Sequence, residues 1–434
     1  MIMVEVAPFP GVMYNTKKIT DPDKVMSPPY DIISDKMQKE LYQKSPYNFV
    51  RLILGKQSST DTEIDNRYTR AQMLWKKWLK QSILIASEKQ AIYPYKIEYE
   101  LDHHVKTMSG FFVLLKLDPD YSSVKAHERT LSKPKADRLN LLRSCQADLE
   151  PIQLLYMDEK DSLQKIINDH LQQPLFDIKG YDGFTHKLWK VEDETVLSTV
   201  INTLKEKILF IADGHHRYQT AINYAQEQQQ KTGKSDDRAS YQYKMVILAN
   251  IFDEGLAILP THRLLTMKEF NIKKILPKLK QYFTVEENIT KDQDAEALGK
   301  TIIKDLETET EHKFAFYQKG TYYLLTLKDI SIMNDLASDR SETWRTLDVS
   351  ILHKIILEQI LGINESNLED HIKYTRVDAE AIELVNKGTF TGSFLMNATK
   401  IKELQAIAEA GEHMPQKSTY FLPKMLSGLV MYKM

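Results

Sequence analysis

The run Ile208-Leu209-Phe210-Ile211-Ala212-Asp213-Gly214-His215-His216-Arg217-Tyr218 constrains the fold more than any other part of the chain. Five consecutive apolar residues are strand-sized, and an Asp-Gly pair stops them abruptly. Beyond the pair, Tyr218, Ile222 and Tyr224-Ala225 are spaced to face a core from a helix. A buried strand passing through one glycine into a helix requires a sheet with a helix packed on it. The junction also has chemistry. The first N–H groups of a helix lack partners and carry partial positive charge, so the turn is a natural phosphate site. Gly214 lets an anion approach the backbone, His215 and His216 add donors, and Arg217 binds phosphate bidentately. Asp213 is placed to hold a metal ion or to orient a histidine. In the plainer reading Asp213 caps the helix, Gly214 permits the turn, and the histidines are packed or solvated. Four polar groups at one junction favour function.

The rest of the chain alternates strands and helices, which predicts a mixed α/β protein. At 434 residues, about 150 per domain gives roughly three structural units. Residues 1–118 read as an amino-terminal α/β part with a hairpin, 93–101 against 110–118, turning at Asp102-His103-His104. A core at 119–265 follows, then a peripheral insertion at 266–335 and a carboxy-terminal α/β part at 336–434. Residues 61–82 read as a helix with Ile64, Tyr68, Trp75, Trp78 and Leu79 near one face, and Asp31 or Ser34 as the cap of an earlier one. Residues 243–265 read as two apolar strands joined by a turn at Asp253-Glu254-Gly255.

Three further constellations carry candidate chemistry. His127-Glu128-Arg129-Thr130 precedes Lys133, Lys135, Asp137 and Arg138. A Glu beside a His acts as general base on a hydroxyl, and the basic residues hold phosphate oxygens. The plainer reading is a solvated charged loop. Pro260-Thr261-His262-Arg263 closes an apolar strand, and strand ends are where ligands gather in open α/β sheets. Lys417-Ser418-Thr419-Tyr420, with Lys424, forms a polar loop between Pro415 and Pro423. Ordinary loop chemistry is the alternative for both.

Composition excludes several classes. Lys plus Arg is 58 against 60 Asp plus Glu, a net charge of -2, which argues against a nucleic-acid coat driven by excess cations. The single cysteine, Cys145, permits no intramolecular disulfide and reads as structural. Neither G-x-x-x-x-G-K-[ST] nor G-x-G-x-x-G is present, and no H-E-x-x-H or cysteine cluster supports zinc. Glu5, Pro8 and Pro10 break the first apolar stretch, so it does not read as a signal peptide. A soluble cytoplasmic protein is expected, without membrane partners.

The blocks SPPYDII, NFVRLIL, HERT with its downstream Asp137-Arg138, ADGHHRYQTA, LPTHR and MPQKSTYFLPK with Ser427-Gly428 resemble the bacterial and archaeal domain-of-unknown-function family 1015, from about residue 5 onward. More distantly, the strand–DGHHR–helix unit resembles the ParB/sulfiredoxin-like nucleotide-binding fold. Its free-serine kinases pair a DGHHR motif with an upstream His-Glu. That resemblance implies Glu128 as base, aided by His127, with Asp213, His215 and His216 in the catalytic turn. It implies that Gly214, Arg217, Arg129, Lys133 and Arg138 bind ATP or ADP, and that Mg²⁺ is held at Asp213. Thr261, His262, Arg263, Lys417, Ser418 and Thr419 then bind substrate or phosphate. The expected activity is nucleotide-dependent phosphoryl transfer on a small hydroxylated metabolite, serine or phosphoserine first, in either direction. The alternative is a nucleotide-binding switch that turns over slowly or not at all. Nucleic-acid binding ranks last: no basic recognition helix is visible. Sulfiredoxin chemistry is excluded, since His215 and His216 stand where a turn cysteine is needed.

Overall fold

The computed structural model describes residues 3–101, 103–127, 132–233, 236–290, 293–308 and 310–434, with the backbone alone at 132–135. The protein is mixed α/β, and it divides into two compact units. Unit 1 is Met1–Ala126, Thr130–Ala257 and Pro423–Met434; unit 2 is His127–Arg129 and Ile258–Leu422.

Unit 1 is built on a nine-stranded mixed sheet. Its strands are β1 (Tyr93–Leu101), β2 (His104–Lys116), β3 (Val124–Lys125), β4 (Ile152–Tyr156), β5 (Phe176–Lys179), β6 (Thr185–Leu188), β7 (Leu209–Asp213) and β8 (Tyr243–Asn250). They lie in the order β3-β7-β4-β8-β2-β1-β6-β5, with the short strand Val6–Ala7 also on β2. β7 runs parallel to β3 and β8 parallel to β4; the other pairs are antiparallel. β8 is buried at every residue but its first, which explains its continuous apolar run. Helix α1 (Ser132–Cys145) packs with helix α2 (His215–Thr232). α2 buries Tyr218, Ala221, Ile222 and Ala225 against Ile211, Leu154 and Val246 of the sheet.

The hairpin forms as expected, though β2 already begins at His104 and the β1 pairing runs to Leu101↔His104. His103 takes a positive φ of 63° in the turn. Two expectations fail. Residues 61–66 are not helical; the helix is Arg67–Lys80, capped by Asn66, and Ile64 is 88% exposed outside it. The ionisable stretch after residue 131 is the helix α1, which a charge-rich sequence with Pro134 concealed. Proline is tolerated in a first turn because its missing N–H has no helical partner there. Ser34, one of the two cap candidates, caps Asp35–Lys44 by accepting from the Met37 N–H.

Unit 2 holds a fully antiparallel six-stranded sheet made of β9 (His262–Leu265), β10 (Phe283–Ile289), β11 (Lys313–Gln318), β12 (Thr321–Leu327), β13 (Ile372–Thr375) and β14 (Gly392–Met396). Its order is β10-β12-β11-β14-β9-β13. Helices α3 (Ala295–Leu306) and α4 (Asp378–Asn386) cover one face through Leu298, Ile302, Ile382 and Val385, against Leu264, Ala315 and Leu395. The two apolar strands expected at 243–265 do not form a pair: β8 belongs to unit 1, and the second run breaks at Pro260-Thr261 into Ala257–Leu259 and β9. His262 and Arg263 therefore open a strand rather than follow one. A one-turn α-helix, Asp348–Ile351, continues as a π-helix, Leu352–Ile360.

Among the described residues no helix is long and apolar enough to cross a membrane.

Candidate functional site

The junction at Gly214 has the expected form. β7 ends at Asp213, Gly214 sits at φ 97°, and α2 starts at His215 without any side-chain cap. Glycine at the N-cap brings no side-chain oxygen to the start of this 18-residue helix, whose amino end carries partial positive charge. A register shift between Ile211 and Asp213 in the pairing with β4 marks a bulge, a device that re-aims side chains. A Cβ on residue 214 would lie 3.1 Å from the Arg217 guanidinium, so only glycine fits without displacing that side chain.

Asp213 is clamped from both sides. Lys424 Nζ donates to Oδ1 at 2.5 Å, and Arg217 Nη2 donates to Oδ2. Burial alone would raise this carboxyl; Lys424 and Arg217 outweigh it and hold it far below the usual carboxylate range. Arg217 also donates to the Pro151 carbonyl. Burial disfavours its charge, but Asp213, Glu150 and Asp31 keep it protonated. His215 is buried beside Asp213, and His216 is partly buried with its carbonyl accepting from Thr220 Oγ1 at 2.7 Å.

A second layer of buried charge lies in the same unit. Arg138 Nη1 donates to Glu150 Oε2 at 3.1 Å, and its Nε to Asp137 Oδ2 at 2.8 Å. The guanidinium stands 3.9 Å from the Tyr30 ring centroid, and the Tyr30 N–H donates to Glu150 Oε1 at 3.1 Å. Burial lifts the Tyr30 phenol to about 12, against the pull of Arg138. Lys244 pairs with Asp148 and donates to the Glu150 carbonyl at 2.7 Å. A cavity of about 50 Å³ lies among Arg138, Glu150, Arg217, Thr220 and Lys244. Every cation here has a carboxylate.

The donor set does not fit a divalent cation at Asp213. Both carboxylate oxygens already face cations, and among the described residues no group of three His, Cys, Asp or Glu is placed to hold a metal. The Mg²⁺ expected at Asp213 finds no further ligand set among the described residues, and Glu128 lies outside them.

The remaining candidates belong to unit 2 or lie outside the described residues. His127 is fully buried, its Nε2 2.9 Å from Thr419 Oγ1, and its carbonyl accepts from the Met414 N–H at 2.7 Å. His262 is also fully buried, with Nε2 2.7 Å from Asp378 Oδ1 and Nδ1 accepting from the Met396 N–H. Arg263 has 1% exposure and donates to the Thr261 carbonyl, to Met396 Sδ and to the Lys417 carbonyl. Burial lowers its pKa to about 10, and no described carboxylate pairs with it. Thr261 is buried, Ser418 Oγ donates to the Pro415 carbonyl at 2.5 Å, and Lys417 is exposed at φ 57°. Glu128 and Arg129, with the side chain of Lys133, lie outside the described residues.

The structure thus gathers Asp213, Gly214, His215, His216, Arg217 and Arg138 in unit 1, and joins His127 to Thr419 and Arg263 to Thr261 and Lys417 in unit 2. Lys424, grouped in the sequence with residues 417–420, belongs instead to the Asp213 cluster of unit 1. Tyr30 and Glu150 join the charged layer unanticipated; the SPPYDII block was the signal for Tyr30.

No curated protein matches this chain. Among solved structures, a mutant free serine kinase in complex with AMP is similar over 74% of this chain and 92% of its own, at 14% identity and a TM-score of 0.36. A conserved hypothetical protein from Pyrococcus furiosus is similar over 74% and 95%, at 15% identity and a TM-score of 0.33. SbnI with a C-terminal truncation, from Staphylococcus aureus, is similar over 72% and 85%, at 13% identity and a TM-score of 0.34. The family model described as Protein of unknown function (DUF1015) matches residues 6–350, and the chain belongs to that family.

Proposed function

We propose that the Asp213–Tyr218 turn binds the phosphates of ATP or ADP, and that the chain transfers a phosphoryl group to or from a small hydroxylated metabolite, serine or phosphoserine first. The observation that carries this reading is the uncapped start of α2 at Gly214, with Arg217 and Lys424 beside it. A helix amino terminus and a left-handed glycine suit an anion approaching the backbone. Phosphoryl transfer asks mainly for positioning and charge neutralisation. In the kinase direction Glu128 takes the proton of the substrate hydroxyl. The hydroxyl oxygen bonds to the γ-phosphorus, the bond to the bridging oxygen breaks, and ADP leaves. Run backwards, phosphoserine and ADP yield serine and ATP. Water as acceptor yields free phosphate instead.

One observation favours a second reading, a nucleotide-binding switch. Asp213 locks both neighbouring cations, so phosphate binding must rearrange the Lys424–Asp213–Arg217 set whether or not turnover follows.

Phosphorus NMR separates the two. One tube holds protein, Mg²⁺, ATP and L-serine; another holds phosphoserine with and without ADP; Glu128→Gln is the control. New phosphoserine, ATP or phosphate that disappears in the variant supports transfer and gives its direction. A shifted nucleotide signal without turnover leaves the switch. No shift and no turnover rejects both.

A further inference from the structure

Unit 2 has a cavity of about 100 Å³ whose lining takes in Met414, Pro415 and Gln416 of the MPQKSTYFLPK block. Its walls are the π-helix Leu352–Ile360, the indole of Trp344 and the loop His413–Gln416. One water needs about 10–15 Å³ of such space, so the cavity takes a molecule of several heavy atoms and excludes a nucleotide.

The lining is charged on both sides. Arg340 and Lys354 supply cations; Glu358 and Glu365 supply carboxylates. Lys354 and Glu358 pair at 2.8 Å. The Arg340 guanidinium lies 5.3 Å from the Trp344 ring centroid, and its ion pair with Asp339 is long at 3.6 Å. Trp344 is anchored by donating Nε1–H to the His413 carbonyl at 2.9 Å. A bare anion entering here meets two carboxylates, and a bare cation meets Arg340 and Lys354. A small molecule bearing both charges meets a partner at each end.

Two further observations point to a ligand. His353 lines the cavity with a buried Nε2 that has no hydrogen-bond partner. A buried ring nitrogen without a partner is costly and calls for an explanation. Burial, aided by Arg263 and Lys354, lowers the His353 pKa to about 3, so the ring is neutral and offers one donor and one acceptor. The helix that presents it is a nine-residue π-helix. Such helices are rare, and they concentrate at functional sites. Their wider turn brings residues four and five apart toward one face, and His353, Lys354 and Glu358 all line this cavity.

We propose that this pocket binds a free α-amino acid as its zwitterion, with the carboxylate on Arg340, the ammonium on Glu358 and Glu365, and a hydrogen bond to His353. The pocket is separate in kind from the phosphate turn and does not depend on phosphoryl transfer. Its loop wall also carries the bond from the Met414 N–H to the His127 carbonyl.

Isothermal titration of the full chain with glycine, L-alanine and L-serine tests this, with propionate and ethylamine as single-charge analogues of alanine. At least one amino acid is expected to bind, and each analogue to bind at least about tenfold more weakly than alanine, because one charged hydrogen bond is lost. Arg340→Met should lose about 10- to 100-fold in amino-acid affinity while keeping its circular dichroism. Should that variant misfold, Glu358→Gln should weaken alanine and leave propionate unchanged. No binding by any amino acid at millimolar concentration overturns the proposal. So does propionate or ethylamine binding as tightly as alanine, or unaltered affinity in the folded variants.

Discussion

Asp213 and Arg263 are both buried and both charged, yet the protein treats them oppositely. Asp213 is surrounded by its counter-charges: Lys424 on one oxygen and Arg217 on the other. Arg263 donates to two backbone carbonyls and a thioether, with its buried Nε left without a partner and no described carboxylate beside it. The first arrangement makes each charge depend on the others. The second leaves a desolvated cation that little else relies upon. A buried ion pair contributes less to stability than its removal costs, because removing one partner strands the other. By that argument Asp213 is much the more fragile position.

The largest expected effect is therefore at Asp213→Asn. It strands Lys424 and Arg217 and should cost about 3–5 kcal/mol in urea unfolding. Cost below 1 kcal/mol would show that the two cations reach water when the carboxylate goes, and the comparison would fail. Next comes pH. The His353 pKa is about 3 in the folded chain against 6.5 for the free side chain. Between those values the unfolded chain binds a proton that the folded chain refuses. Stability should then fall as pH drops from 6.5 toward 3, by at most about 1.4 kcal/mol per unit from this group. Asp213 acts in the same sense but lower, since its depressed pKa protects stability until pH falls below the unfolded carboxyl value. His353→Asn should flatten the urea midpoint between pH 6.5 and 4.5, and an unchanged slope would reject the assignment.

Gly214→Ala is a smaller change in the same cluster. A left-handed φ of 97° strains alanine, and the added methyl crowds Arg217, so about 1–2 kcal/mol is expected, with weaker ADP binding by titration. The smallest effect is at Arg263→Met. Loss of three hydrogen bonds is offset by relief of an unpaired buried charge, and the melting curve should shift by less than about 1 kcal/mol in stability. A cost equal to that of Asp213→Asn would mean that a carboxylate faces Arg263, and the contrast between the two sites would collapse.

The sequence made the local chemistry legible and the long-range chemistry not. The apolar run before Asp213 and the Gly214 turn announce a strand and a helix, and both form. Ser34 is readable as a cap because capping is settled within three residues. Lys424 reads with its sequence neighbours, since nothing in a chain of letters ties it to a carboxylate 211 residues earlier. Helix α1 was hidden by its own charges: Arg138 and Asp137 look solvated until Glu150, Tyr30 and Arg67 are seen beside them. The break at Pro260-Thr261 was visible as a proline, but its effect was not. Only the pairing of β9 with β13 and β14 shows that His262 and Arg263 are strand residues.

The interleaving of the two units sets a timetable. A translating ribosome releases the Asp213 turn, then all of Ile258–Leu422, and only afterwards Lys424. Until then Asp213 has Arg217 and His215 but not Lys424, and the strand Ala147–Asp148 waits for Tyr432–Lys433. The nascent protein therefore passes through an interval in which unit 2 has its whole sequence while unit 1 still lacks a cation and a strand, and a pause in synthesis before Pro423 would prolong that exposure.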